Sequence, residues 1–144
     1  MRVREYQHRD IASMTDIWNE AVDEGDAFEN EEKLEALGAE KFFSELVYCG
    51  VAVDFGGNLH GLYILKKTET EGLAEAEFAV KSPSRNMKAG ADLVNDCIKN
   101  AKAKGFTGVV LCAVVEKNPV VSHLCEKFGF KKQEADGRFL LNLQ

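Results

Sequence analysis

Ten consecutive residues, FTGVVLCAVV (106–115), constrain the fold of this chain more than any other stretch. They carry no charge and are rich in β-branched side chains. Such a run suits a strand buried on both faces, which in turn needs helices on both sides of its sheet. The flanks can supply them. Upstream, Leu93, Val94, Cys97, Ile98 and Ala101 recur at helical spacing between Lys88 and Lys104, and Gly105 follows as a C-terminal cap. Downstream, Asn118 reads as an N-cap with Pro119 at the first helical position. Val120, Val121, Leu124, Cys125 and Phe128 then form the expected buried side, Gly129 ends the helix, and Phe130 folds back on its last turn.

Before that run the pattern is mixed. MRVREYQ alternates and predicts a first strand; Ile11, Met14, Ile17, Trp18, Ala21 and Val22 predict a helix. Asn30 is placed to cap a second apolar stripe, Leu34, Leu37, Phe42, Leu46 and Val47, with Gly38 as a point where it divides into two helices. The period then changes to that of strands. Residues 51–67 read as a hairpin around GGN, and GLAEAEFAV as a further strand antiparallel to it. In that strand Ala74, Ala76, Phe78 and Val80 share one face, and Glu75, Glu77 and Ala79 the other. The tail predicts two strands around Asp136 and Gly137. The sum is an α/β (α+β) chain: a mixed, mostly antiparallel central sheet flanked by helices.

At 144 residues the chain has the size of one domain, residues 1–144, with a substantial core. Its formal net charge of −6 argues against nucleic acid as a partner. No apolar run reaches the ~20 residues of a membrane helix, and the charged start lacks a signal core, so no membrane association is expected. Cys49, Cys97, Cys112 and Cys125 form no C-x-x-C pair, which fits reduced thiols and a cytoplasmic location. The three histidines show no metal-ligand spacing, so no metal is expected. Oligomeric state stays open, a homodimer included.

The stretch SRNMKAGADLV (84–94) joins a strand to a helix, where unpaired backbone N–H groups and the helix dipole favour an anion. Its small residues allow close approach, and Arg85 and Lys88 add positive charge; a plain helix start is the alternative. Together with NPVVSHLCEKFGF (118–130), this pattern resembles the GNAT superfamily of acyl-CoA-dependent N-acyltransferases. That family's pyrophosphate loop reads Q/R-x-x-G-x-G/A, matched here by residues 85–90, and its later helix reads roughly N-x-x-A-x-x-L-Y-E-K-x-G-F. The opening VREYQHRDIASMTDIWNEAV is also similar to the family's first strand and helix, so the resemblance spans nearly the whole chain.

The resemblance implies a GNAT-like fold using acetyl-CoA as cosubstrate and a primary amine of a small or amino-acid-like molecule as acceptor, with direct attack in a ternary complex. Phe78, Ala79 and Val80 would pair with the pantetheine arm. Arg85, Asn86, Met87, Lys88, Ala89, Gly90 and Ala91 would hold the pyrophosphate, and Asn118 would face the arm. The strands around Val80 and Val114 would splay to admit the thioester. Three positions depart from the family pattern, the first being Val121 in place of an alanine. Lys88 replaces a glycine, at little cost if its φ is negative and about 1 kcal/mol if positive. Cys125 replaces a tyrosine that protonates the leaving thiolate; it is either that donor or a small core residue. Glu77 is a candidate general base, set against a solvated strand face. The acidic stretch 23–32 attracts a cationic acceptor or is a solvated loop. Trp18 and Phe28 line an acceptor pocket or join the core. The departures also admit a catalytically inactive CoA-binding or interaction module.

Overall fold

The computed structural model describes residues 1–25, 28, 31–84, 88–112 and 116–144. Seven strands form one sheet, in the order β1 (Arg2–Glu5), β2 (Tyr48–Val53), β3 (Leu59–Lys67), β4 (Leu73–Val80), β5 (Gly108–Leu111), β7 (Phe139–Asn142) and β6 (Lys131–Lys132). All neighbours are antiparallel except β4 and β5, which run parallel. The crossover between those two is α3 (Ala89–Ala103), the connection that a parallel pair requires. The other helices are α1 (Ile11–Glu24), α2 (Ala36–Ser44) and α4 (Pro119–Phe128).

Each face of the sheet has its own core. Ala74 and Ala76 of β4 pack with Leu93, Val94 and Cys97 of α3 and with Cys125 of α4; Phe78 and Val80 flank the same cluster. Ala79 points the other way, into a core with Met14, Ile17 and Trp18 of α1 and Phe43 of α2. The predicted alternation of β4 therefore holds. All four residues of β5 are buried, as the apolar run requires.

Several expectations need correction. Gly38 does not divide its segment: it lies inside the single helix α2. That helix starts at Ala36; the expected cap, Asn30, lies outside the described residues. The hairpin begins at Tyr48, three residues early, because Tyr48, Cys49 and Gly50 continue the ladder opposite Leu65, Ile64 and Tyr63. Val120 is 46% exposed and is not on the buried side of α4. Trp18 is 1% exposed and belongs to the core: its Nε1 donates to the Glu32 carbonyl at 3.1 Å, and Phe28 stacks on it at 4.2 Å. These rings pack the connection between α1 and α2 against the core, and among the described residues they sit there rather than in a pocket wall.

Candidate functional site

Among the described residues, the two central strands part beyond Glu75 and Val110. The pairing of β4 with β5 extends among these residues to Glu75 opposite Val110, while β4 stays paired with β3 as far as Val80 opposite Gly61. The Lys81 N–H donates to the His60 carbonyl at 2.8 Å across that second ladder. Peptide groups alternate along an antiparallel ladder, so those of Ala79 and Glu77 aim at β3 and those of Phe78 and Ala76 aim at the gap. Gly72, in the same phase, accepts from Thr107 N–H at 2.8 Å on the β5 side. Val114, expected on the far side of the gap, lies outside the described residues.

A cavity of about 300 Å³ fills this gap. Phe78, Ala79 and Val80 of β4, Lys88, Gly90 and Ala91 at the start of α3, and Asn118 and Cys125 of α4 all line it. Leu124, Val121 and Leu111 add apolar wall, and Ala21 and Glu24 of α1 reach it from the opposite side of the sheet. The cavity is therefore bordered from both faces.

Local sequence explains why these groups meet. Lys88 is the N-cap of α3 with φ −72° and ψ 0°, an ordinary right-handed conformation. A lysine there carries no backbone strain, and its charge sits beside the helix N-terminus. Ala89 is fully buried beneath that turn. A Cβ on Gly90 would lie 3.1 Å from Leu124 Cδ1, so glycine lets α3 and α4 approach closely. Asn118 caps α4 by accepting from Val120 N–H and Val121 N–H at 3.1 and 3.3 Å. At the other end Gly129 is left-handed, with φ 90°, and Phe130 N–H donates to the Cys125 carbonyl at 2.8 Å. Arg85, Asn86 and Met87 lie outside the described residues.

Cys125 is 3% exposed, and burial pushes its thiol up to about 11. It is a neutral thiol in the cavity wall at neutral pH.

Glu77 is not on a solvated face. It is 4% exposed, it does not line the cavity, and among the described residues no donor bonds its buried Oε2. Its Oε1 lies 3.4 Å from Lys66 Nζ, which also contacts Glu31 Oε2 at 3.0 Å. Burial raises the Glu77 pKa, and the Glu31 carboxylate, hydrogen-bonded to the protonated form, raises it further; Lys66 opposes this and is outweighed. Lys66 in turn is pulled down by burial but ends raised, because the carboxylates outweigh it. Two carboxylates and one ammonium thus share a buried space below the α1–α2 connection. Glu75, bonded to Arg138 at 2.9 Å, adds a smaller charge effect that also favours the protonated Glu77 and the charged Lys66.

The Acetyltransferase (GNAT) family model matches residues 11–130. The chain belongs to this family. No curated protein matches it in sequence. Among solved structures, an N-acetyltransferase from Kribbella flavida shares 22% identity, with 98% of this chain and 96% of that one covered and a TM-score of 0.83. A putative acetyltransferase from Salmonella typhimurium, solved with acetyl-CoA, shares 18% over 100% and 94%, with a TM-score of 0.80. A phosphinothricin acetyltransferase from Sinorhizobium meliloti, also in complex with acetyl-CoA, shares 22% over 91% and 75%, with a TM-score of 0.82. At these identities the likeness is one of fold.

In this GNAT chain the sequence motifs led to the cavity but not to the Glu31–Lys66–Glu77 cluster. The hairpin register carries a signal for Lys66: it pairs with Glu75, which puts it diagonally across from Glu77. Glu31 arrives from a connection whose path depends on Trp18, and on Asn19, which holds Leu34 through bonds of 2.7 and 2.9 Å. No short-range pattern encodes that path. Among the described residues no group of His, Cys, Asp and Glu is arranged to hold a metal ion, and no helix is long and apolar enough to cross a membrane.

Proposed function

We propose that this chain transfers an acetyl group from acetyl-CoA to a primary amine of a small or amino-acid-like acceptor, in one ternary complex. The observation that carries this reading is the cavity where β4 and β5 part. Eight residues singled out from the sequence line it, and both faces of the sheet border it. Such a gap lets a thioester from the α3–α4 side meet an amine from the α1 side. The fold likeness to acetyltransferases solved with acetyl-CoA supports the donor.

Acetyl-CoA would supply the activated acyl group; the chain's own residues do the rest. Backbone N–H groups of residues 85–91 hold the pyrophosphate, with Arg85 and Lys88 adding charge. The peptide edge of β4 at Phe78 to Val80 takes the pantetheine arm. The Phe78 N–H, aimed into the gap, faces the negative charge that grows on the thioester oxygen. Asn118, its Oδ1 engaged in the cap, offers its Nδ2 donors to the arm. Glu77, which does not line the cavity, is the general base acting through water: as the C–N bond forms, the amine proton passes to it along that water. The C–S bond breaks, and Cys125 gives its proton to the departing thiolate.

Free-thiol release from acetyl-CoA, measured against a panel of primary amines, tests the reaction. Acceptor-dependent release is expected; stabilisation by acetyl-CoA without turnover on any amine would make the chain a binding module. Cys125→Ala should lower kcat by about tenfold or more while acetyl-CoA affinity stays within about twofold. An unchanged kcat removes Cys125 from the proton transfer.

A further inference from the structure

Asp54, His60 and Ser84 form a relay of side-chain hydrogen bonds that no cavity residue accounts for. His60 Nε2 lies 2.8 Å from Asp54 Oδ2, and Nδ1 lies 2.5 Å from Ser84 Oγ. The Asp54 carboxylate also accepts from Gly56 N–H and Asn58 N–H in the β2–β3 turn. Its hydrogen bond with His60, and then those backbone donors, hold it well below the usual carboxylate range. An ionised carboxylate only accepts, so Nε2 carries the proton and, in neutral His60, Nδ1 accepts from the Ser84 hydroxyl.

The residue types are those of a Ser–His–Asp hydrolase, but two facts exclude that role. The ring nitrogens are exchanged relative to that arrangement, and Ser84 is 2% exposed, so no substrate reaches its hydroxyl. What the relay does is connect. Asp54 belongs to the β2–β3 turn and His60 to β3. Ser84 closes the short 3-10 turn Ser82–Ser84 after β4, where its N–H donates to the Lys81 carbonyl at 2.8 Å. Lys81 N–H is itself held by the His60 carbonyl at 2.8 Å. His60 thus grips the outgoing chain twice, by backbone and by ring, four residues before Lys88, the cap of α3.

We propose that His60 is a positioning residue for the anion cradle: by holding Ser84 it fixes where the chain leaves β4, and so where the start of α3 stands relative to the cavity. This rests on the proposed function. The ring does not line the cavity, so its effect must pass through Ser84.

The test separates the two halves of the relay. His60→Gln places an amide where Nε2 stood and loses Ser84; His60→Asn places one where Nδ1 stood and loses Asp54. Ser84→Ala cuts the same bond from the other side. Acetyl-CoA affinity is read by calorimetry, folding by Tm, and turnover by kcat and KM with an accepted amine. His60→Gln and Ser84→Ala should each weaken acetyl-CoA binding and raise its KM about fivefold, with kcat at saturation within about twofold. His60→Asn should bind within about twofold of the wild type, although it too loses one hydrogen bond. Wild-type affinity in His60→Gln and Ser84→Ala overturns the inference, as does equal weakening in all three variants in step with Tm. A wild-type protein that binds no acetyl-CoA overturns the proposed function and this inference with it.

Discussion

At Glu77, burial and charge pull in opposite directions. Low exposure and the Glu31 carboxylate favour the protonated form, and Lys66 alone favours the ion. The folded pKa is therefore raised above the unfolded value of about 4.3. As pH rises past that value the unfolded chain releases this proton first, so stability falls with pH until the folded pKa is passed. Glu77→Gln cannot ionise and escapes this loss. The Tm of Glu77→Gln relative to wild type should therefore grow between pH 5 and pH 8; a constant difference contradicts the raised pKa. The same group acting as base gives kcat/KM a rising limb above the ordinary carboxylate range, which Glu77→Gln should lack. Lys88 makes the opposite point about charge. With φ at −72° it needs no glycine, so its replacement relieves no strain. Lys88→Ala should weaken acetyl-CoA binding several-fold in low salt, with the gap narrowing as ionic strength rises. An unchanged affinity at low salt removes the lysine from the cradle.

At the scale of elements, α4 joins capping to site building. Asn118 satisfies the first turn, and Val120 and Val121, whose N–H groups it accepts, line the cavity with it. Asn118→Ala should cost about 1 kcal/mol of stability, read as a lowered denaturant midpoint, and should weaken acetyl-CoA binding as well. A lost cap with wild-type affinity would confine Asn118 to folding. This helix was legible in the sequence because Asn118, Pro119 and Gly129 mark its ends by local chemistry. Gly38 misled because propensity is a weak prior: Phe43 and Ala39, both buried, hold α2 together across it. Glu77 is the converse case. Period-2 alternation placed it on the correct face, but only the path of the α1–α2 connection turns that face from solvated to buried.

For the molecule as a whole, the site follows from strand lengths. Eight residues of β4 lie beside four of β5, and among the described residues their pairing covers three positions, while β4 stays paired with β3 as far as Val80. The two strands could be read from their residues, but neither their parallel pairing nor where it ends has a local signature; both depend on the α3 crossover. Both cores close against the sheet beside this gap, α3 and α4 on one side and α1 on the other. The central claim is that acetyl-CoA occupies the gap. Val120 offers the most direct check, because it lines the cavity yet is 46% exposed, so a larger side chain can block the opening without disturbing the core. Thermal unfolding of wild type and Val120→Trp, each with and without saturating acetyl-CoA, supplies the measurement. The predicted result is a clear rise in Tm for the wild type that is lost in Val120→Trp, whose own Tm stays close to that of the wild type. No rise in the wild type, or the same rise in both proteins, would contradict the claim.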